Sequence, residues 1–324
     1  MKILIFTSSR AEYGLLSNLV KLFSKSKTIK LNMIISGSHL SKKHGYTINE
    51  IIKDKIKINK KISLSYSKDT NEEITNNINK INRELTKYFK KNSVDLMVVL
   101  GDRYEVFAAS VAAIFNNIKI AHLHGGERSE GSLDEILRHS ITKMSYYHFV
   151  ATKEYERRVI QLGENPKNVF KVGALCNDKI NNFIPVSKSN LENSIKFKFK
   201  NRNILVTLHP ETMKSYNMSN KIDNLLNILE KYKNLGIIFT YPNSDKGNLL
   251  IIKKIQNFVK KNSNSKFYKS LGHYNYLNCL YYSDGILGNT SSGIIEAPLM
   301  CKGSVNVGER QKGRVLSSSV INSD

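Results

Sequence analysis

The stretch LMVVLGDRYEVFAASVAAIF, residues 96–115, indicates most directly how this chain folds. An apolar run containing β-branched residues is followed by a short polar segment and then by an apolar stretch of helical length. The first part predicts a buried strand over Asp95–Leu100, and the second predicts a helix over Arg103–Phe115. Strands that alternate with helices in this way are typical of βαβ units and a parallel sheet.

The same alternation continues on both sides of this stretch. In the first half, further strands are predicted at Lys2–Thr7, Leu31–Ser36, Ile118–His122, Tyr147–Ala151 and Phe170–Val172. The pattern lapses after Gly173 and restarts with strands at Ile204–Leu208, Gly236–Tyr241, Lys266–Tyr268, Gly285–Leu287 and Ser304–Val307. We therefore predict an α/β protein with two Rossmann-like domains, residues 1–183 and 184–324. The Lys/Asn/Ser-rich residues 186–202 are predicted to form a linker or long loop.

Composition excludes several classes of protein. The 324 residues are 40% hydrophobic and 24% charged, which is typical of a globular chain rather than a disordered one. No apolar run approaches the roughly 20 residues of a membrane span, and the start of the chain lacks a signal-peptide core, so a cytoplasmic location is expected. The cysteines Cys176, Cys279 and Cys301 lie far apart, which favours reduced thiols over a disulfide framework or a zinc site.

The net charge of +23 raises the question of nucleic-acid binding. Of the 50 basic residues, 40 are lysines scattered among Asn and Ile. This distribution predicts solvated surface charges, so no specific nucleic-acid partner is expected.

Polar residues follow the predicted strands of the first half, where doubly wound folds bind their ligands. Asp102 and Arg103 follow one strand, and the segment from His122 to Glu127 belongs to the next, with Asp134 beyond it. A carboxylate at the end of a buried strand is costly unless it is paired or used. Metal binding is an alternative, because His and carboxylates bind zinc or manganese, but no third ligand completes a set.

Two features near the start of the chain leave alternatives open. Arg10 follows a Thr-Ser-Ser loop, which suits either an anion at a helix start or a simple Ser N-cap. His39 lies in the loop after the second strand and suits either a general acid or base or a structural role.

The second half has its own polar strand ends. His209 and Asn243 follow successive strands, and GNTSSG at 288–293 precedes a helix predicted over Ser291–Leu299, which carries Glu296. Hydroxyls and backbone donors at a helix start suit a diphosphate. The chain has neither a P-loop nor a G-x-G-x-x-G motif, so ATP hydrolysis and NAD chemistry lose support.

Seven motifs together resemble those of the hydrolysing UDP-N-acetylglucosamine 2-epimerases of sialic-acid biosynthesis. They are Arg10–Gly14, Gly101–Glu105, His122–Glu127, Arg138–Lys143, His209–Glu211, Gly288–Gly293 and Arg310–Gln311. The resemblance implies a GT-B-like pair of Rossmann domains with the active site in the cleft between them. It also implies release of UDP and N-acetylmannosamine without a metal or redox cofactor. No membrane partner is expected, and the chain is expected to assemble as a homodimer or homotetramer.

The resemblance also implies roles for individual residues. Those implied to surround the nucleotide are Arg10, Arg103, His209, Asn243, Thr290, Ser291, Glu296 and Arg310. Asp102 and Asp134 correspond to acids that transfer protons at the sugar, and the second acid/base is either His124 or Glu127. His209 would in addition stabilise the departing diphosphate.

Two other functions remain open from the sequence. The same residues would serve a hydrolysing 2-epimerase of UDP-N,N′-diacetylbacillosamine, as in legionaminic-acid pathways. The chain also ends before the final helices expected for the family, so we predict an incomplete second domain, which makes an inactive nucleotide-sugar-binding subunit conceivable. The presence of Asp102, Asp134 and His209 favours an enzyme.

Overall fold

The computed structural model describes residues 1–68, 70–130, 132–211, 218–243 and 247–323, except the side chain of Met218. The chain divides into a first unit, Met1–Glu127 with Leu133–Leu175, and a second unit, Arg128–Ser132 with Cys176–Asp324. The second unit thus begins at Cys176, before the predicted boundary at residue 184, because the helix Asn177–Asn181 packs against Glu296–Leu299 of that unit. Arg128–Ser132 joins the same unit, where the Glu130 N–H donates to the Lys312 carbonyl at 3.0 Å.

The first unit contains a parallel sheet, seven-stranded within the described residues, in the order β3-β2-β1-β4-β5-β6-β7. The strands are β1 (Lys2–Thr7), β2 (Lys30–Ser36), β3 (Lys60–Ile62), β4 (Leu96–Leu100), β5 (Lys119–Leu123), β6 (Tyr147–Val150) and β7 (Val169–Lys171). The helices are α1 (Arg10–Lys25), α2 (Ile48–Lys53), α3 (Asn71–Lys91), α4 (Tyr104–Ile114), α5 (Asp134–Met144) and α6 (Lys153–Gln161).

Both faces of this sheet are buried, which explains why its strands read as continuous apolar runs. Along β1, Leu4 and Phe6 pack into a cluster with Ile81 of α3, whereas Ile3 and Ile5 pack into another with Leu16 of α1. Successive side chains of a strand point to opposite faces, so every residue of the run has a core to enter. The strand interiors are therefore mostly apolar, and the polar residues of the candidate site lie at or beyond the carboxyl ends of β4 and β5.

The second unit contains a parallel sheet, six-stranded within the described part of the chain, in the order β10-β9-β8-β11-β12-β13. Its helices begin with α7 (Asn177–Asn181) and α8 (Lys188–Ile195). The remaining elements are β8 (Arg202–Thr207), α9 (Met218–Glu230), β9 (Leu235–Thr240), α10 (Asn248–Lys261), β10 (Ser265–Tyr268), α11 (Gly272–Tyr282), β11 (Gly285–Gly288), α12 (Ser291–Ile294), α13 (Glu296–Leu299), β12 (Gly303–Val307) and β13 (Val320–Ser323).

The prediction of a linker at 186–202 was wrong. These residues include α8, whose Leu191 and Ile195 lie one helical turn apart and are buried in a core cluster with Leu205 of β8. Ser187 caps the helix by accepting the Asn190 N–H at 3.3 Å. The surrounding Lys, Asn and Ser residues face solvent and hide this short apolar stripe in the sequence.

The prediction of one continuous helix over Ser291–Leu299 was also wrong, because this segment is divided at Ile295 into α12 and α13. Pro298 has no N–H with which to continue the α-helical bonding to the Ile294 carbonyl. The sequence also missed α2, α7, β3 and β13, which are short or have little apolar periodicity. Within the described ranges, no helix is long and apolar enough to cross a membrane.

Candidate active site

The site in the first unit is organised around the guanidinium of Arg138 on α5, whose side chain is 1% exposed. It donates to the carboxylate of Asp102 and, at 2.8 Å, to the backbone carbonyl of Glu127. Burial alone would lower the pKa of Arg138, but the carboxylates of Asp102, Glu127 and Asp134 outweigh burial and raise it. The structure thus brings three predicted acids around one buried cation.

The loop that carries Asp102 is anchored by His122. The imidazole of His122 is fully buried on β5, and its Nε2 lies 2.7 Å from the carbonyl of Gly101. Burial lowers the pKa of His122 to about 3, so the ring is neutral near pH 7. Because a carbonyl can only accept, the ring proton lies on Nε2, and the hydrogen bond fixes the end of β4 against β5.

His124 and Glu127, between which the sequence left the second acid/base undecided, are hydrogen-bonded to each other at 2.8 Å. The N–H of Leu175 donates to His124 Nε2 at 3.2 Å, so the proton of the neutral ring lies on Nδ1 and points to the Glu127 carboxylate. His124 has a φ of 62°, a left-handed conformation that a non-glycine residue seldom adopts. The following turn places both side chains beneath the surface.

Arg10 and Arg103, two arginines of the first unit, lie in different environments. Arg10 is the half-buried first residue of α1. Arg103 is bonded through two nitrogens to Glu105 at 3.1 Å and lies 3.6 Å from Glu12. Two protein carboxylates therefore compensate the charge of Arg103, and its role at a substrate stays a prediction.

Glu12 is a buried carboxylate that was not predicted as a site residue from the sequence. Its carboxylate accepts the Ser8 N–H at 2.8 Å and the hydroxyls of Ser8 and Ser9 at 2.8 and 3.0 Å. Burial raises the pKa of Glu12, although Arg103 acts in the opposite direction. The spacing of a capping box, with serine at the N-cap Ser9 and glutamate three residues later, was the signal that could have identified it, although the carboxylate accepts the N–H of Ser8 and not that of Ser9.

His39 lies inside the first unit rather than on a free loop. Its ring is 0% exposed and contacts the hydroxyls of Thr7 at 3.2 Å and Thr47 at 2.9 Å. Burial lowers its pKa to about 3, and Arg103 adds to the effect. Of the two roles left open by the sequence, this environment favours the structural one.

In the second unit, the ring of His209 is held by the loop after β9. Its Nδ1 accepts the Asn243 N–H at 3.0 Å, and its backbone is bonded on both sides to the side chain of Asn289. His209 is 7% exposed and Asn289 is 3% exposed. The structure therefore brings together His209 and Asn243, which follow neighbouring strands, and adds Asn289.

The segment after β11 places several predicted nucleotide contacts close together. Thr290 caps α12 by accepting the Ser292 N–H at 3.4 Å, and the buried Ser292 hydroxyl has no hydrogen-bond partner among the described residues. Arg310, 8% exposed, donates to the Asn289 carbonyl at 3.4 Å. Ser291 and Glu296 are half-buried first residues of α12 and α13. Since α12 has a single turn, the individual donors, rather than a long-helix dipole, would bind an anion here.

Metal binding was the other interpretation of the first-unit residues. In the part of the chain that the structure describes, no group of three or more His, Cys, Asp or Glu side chains is arranged to hold a metal ion. The imidazoles of His122 and His124 are instead hydrogen-bonded to protein groups.

Arg138 is not among the site residues predicted from the sequence, although it begins the motif Arg138–Lys143. The available signal was helical spacing, because Arg138 lies four residues after Asp134 on α5 and therefore on the same face. Asn289 was missed because its function is to bind backbone groups of another loop, which no local pattern reveals.

Comparison with solved structures identifies the fold. The crystal structure of UDP-GlcNAc 2-epimerase from Neisseria meningitidis bound to UDP-GlcNAc matches 94% of this chain and 82% of that chain, with a TM-score of 0.79 at 20% identity. The fold is thus a GT-B-like α/β fold with two Rossmann-like units.

Sequence relatives identify the family. The profile of the UDP-N-acetylglucosamine 2-epimerase family matches residues 21–324. The chain is 37% identical to the polysialic acid biosynthesis protein P7 of Escherichia coli, over 99% of this chain and 82% of that protein. It is also 37% identical to the GDP/UDP-N,N′-diacetylbacillosamine 2-epimerase (hydrolyzing) of Campylobacter jejuni, over 100% of this chain and 84% of that protein. The chain therefore belongs to the UDP-N-acetylglucosamine 2-epimerase family.

The buried histidines predict how stability depends on pH. His39 and His122 have pKa values lowered to about 3, whereas an unfolded histidine titrates near 6.5. Below pH 6.5 the two histidines bind protons in the unfolded chain but stay neutral in the folded chain. Their contribution to the free energy of unfolding is therefore fully present above pH 6.5 and is lost as the pH falls toward 3. We expect the free energy of unfolding to decrease by about 1.4 kcal/mol per histidine between pH 7.5 and 5.5.

Urea denaturation at pH 7.5 and 5.5 checks this expectation. In a folded His39→Gln variant the difference between the two pH values should shrink by about 1.4 kcal/mol relative to the unchanged chain. An identical pH dependence in both proteins would contradict the assignment of His39 as a buried neutral ring.

Proposed function

We propose that this protein is a hydrolysing 2-epimerase that converts UDP-N-acetylglucosamine to UDP and N-acetylmannosamine. The observation that carries the proposal is the buried Arg138, which donates to the Asp102 carboxylate and the Glu127 carbonyl beyond the carboxyl ends of β4 and β5, and whose pKa the carboxylates of Asp102, Glu127 and Asp134 raise. Proton transfer at a sugar carbon needs positioned acids and bases, and this family member carries them where its fold type binds ligands.

The reaction requires two proton transfers at C2. A base removes the C2 proton while the C1–O bond breaks and its electron pair leaves with UDP, which gives a glycal. A proton is then delivered to C2 from the opposite face, and the oxygen of water adds at C1. Asp102 and Asp134 are the proposed proton-transfer residues, with His124 and Glu127 acting as a hydrogen-bonded pair in the second transfer.

Arg138 supports this chemistry without a role as an acid or base. Its guanidinium stays protonated and holds the Asp102 carboxylate by a charge-assisted hydrogen bond. The bond to the Glu127 carbonyl fixes the turn that carries the second proposed pair. Orientation of this kind makes a large contribution to the rate of a proton transfer.

The nucleotide is proposed to bind residues of the second unit. In this assignment the imidazole of His209 and the guanidinium of Arg310 face the diphosphate, with Asn243, Thr290 and Ser291 as neutral partners. Glu296 would accept hydrogen bonds from the ribose diol. Arg10 and Arg103 belong to the first unit, and their contact with the nucleotide stays a prediction from the resemblance.

A second candidate substrate is UDP-N,N′-diacetylbacillosamine. The observation that favours it is the 37% identity to the Campylobacter jejuni relative named for that sugar. Both sugars carry an acetamido group at C2, so the proposed proton transfers are the same for both.

Incubation of the purified protein with each UDP-sugar, followed by NMR identification of the products, tests the proposal. N-acetylmannosamine and UDP from UDP-N-acetylglucosamine are expected. Faster turnover of the bacillosamine derivative would transfer the assignment to that substrate. Binding of UDP without turnover of either sugar would contradict an enzyme and favour an inactive binding subunit.

Replacement of Asp102 tests the first-unit site. Asp102→Asn should lower turnover by about 10²-fold or more while UDP binding is retained, because a positioned acid or base is lost. Asp95→Asn is the matched control, since Asp95 precedes the same strand at its opposite end and accepts the Lys2 N–H at 2.7 Å. Steady-state kinetics should separate the two variants, and near-normal turnover of Asp102→Asn would remove this carboxylate from the mechanism.

Replacement of Glu296 tests the nucleotide assignment. Glu296→Ala should weaken UDP binding by roughly 10- to 100-fold, because charge-assisted bonds to ribose are lost, and Glu296→Gln should have a milder effect. Glu230→Ala, at the exposed end of α9, serves as the control. Calorimetry that finds the same UDP affinity in Glu296→Ala and the unchanged protein would require this assignment to be abandoned.

A further inference from the structure

Asn289 forms a complete set of hydrogen bonds at the end of β11. Its backbone N–H donates to the Thr207 carbonyl at 3.1 Å, and its own carbonyl accepts from Gln311 Nε2 at 2.8 Å. Its side-chain Oδ1 accepts the His209 N–H at 2.6 Å, and its Nδ2 donates to the His209 carbonyl at 2.9 Å. Backbone and side chain are therefore both fixed, and the side chain holds the peptide groups on either side of one residue.

The close approach of β11 to β8 depends on Gly288, the residue before Asn289. Gly288 has a φ of 137°, and a Cβ atom at this position would overlap the backbone carbonyl of Thr207. Glycine thus allows the end of β11 to lie directly against the end of β8, which leads into His209. Asn289 reaches the His209 backbone because of this contact.

The ring of His209 is oriented by a second backbone group. The Asn243 N–H donates to Nδ1 at 3.0 Å, so Nδ1 cannot carry the proton of the neutral ring. That proton must lie on Nε2. With the backbone clamped by Asn289 and Nδ1 engaged by Asn243, His209 presents Nε2 as a hydrogen-bond donor.

We propose that Asn289 is a positioning residue that holds His209 as an Nε2–H donor to the departing diphosphate of the substrate. The assignment of the diphosphate rests on the proposed function, whereas the positioning of the ring does not. A donor fixed in advance stabilises the charge that develops on the leaving group without reorganisation during the reaction.

An asparagine side chain suits this task better than its close analogues. The His209 N–H needs an acceptor and the His209 carbonyl needs a donor, and one terminal amide supplies both. An ionised aspartate would accept the N–H but would repel the carbonyl, and alanine would supply neither bond. Both variants should therefore release His209 from its present orientation.

Nitrogen-15 NMR of histidine-labelled protein at pH 8 reads the ring directly, because an unperturbed histidine is neutral there. The His209 signals are assigned as those missing from His209→Gln. In the unchanged protein we expect a protonated Nε2 and an unprotonated Nδ1. In Asn289→Ala and the isosteric Asn289→Asp we expect signals that report a mixture of the two tautomers.

Asn278→Ala is the matched control for a general loss of stability. Asn278 is also fully buried in the second unit, where it accepts the Val186 N–H at 2.9 Å and donates to the Tyr274 carbonyl at 2.9 Å. It contacts no part of His209 in these bonds. Its replacement should leave the His209 signals and the turnover unchanged.

Kinetics supply the second measurement. Turnover of the Asn289 variants should fall by about 10- to 100-fold, with a smaller change in KM, as expected when a reacting group is misaligned. A His209 ring protonated on Nδ1 in the unchanged protein, or Asn289 variants with its original signals, would overturn the proposal. Altered signals with undiminished turnover would also overturn the donor role, and would show that the failure lies in the function assigned to His209.

Discussion

The first-unit site depends on the hydrogen bonds of the buried Arg138 guanidinium. A cation placed in the protein interior without partners costs several kcal/mol, so the surrounding acceptors are required for stability. Here they are the carboxylate of Asp102 and the carbonyl of Glu127, which belong to the loops after β4 and β5. Removing one partner of a buried ion pair typically costs about 3–5 kcal/mol, so the geometry of the site and the stability of the unit depend on the same contacts.

Three histidines follow a related principle, because each of these rings has a backbone partner that can only donate or only accept. The Gly101 carbonyl places a proton on Nε2 of His122, the Leu175 N–H excludes one from Nε2 of His124, and the Asn243 N–H excludes one from Nδ1 of His209. Rings of the same chemical type thus acquire different functions. His122 anchors the Gly101 loop, His124 is paired with Glu127, and Nδ1 of His209 is engaged by Asn243.

The sequence predicted the alternation of strands and helices well, because buried parallel strands are continuous apolar runs that differ plainly from amphipathic helices. It failed where that contrast disappears, as in α8, whose Leu191 and Ile195 are surrounded by Lys, Asn and Ser. For the site, the strand ends indicated which loops carry polar residues. The strand ends could not indicate which arginine pairs with which carboxylate. Arg103 pairs with Glu105 and Glu12, whereas the partner of Asp102 is Arg138, on a helix later in the chain.

The proposed reaction exchanges a proton with solvent at C2 of the sugar. The direct measurement is the reaction in D₂O, with the product analysed by proton NMR and mass spectrometry. We expect N-acetylmannosamine with one deuterium at C2, because the abstracted proton is replaced from solvent on the opposite face of the sugar. A product that retains hydrogen at C2 would overturn the proposed exchange and would indicate internal transfer or simple hydrolysis.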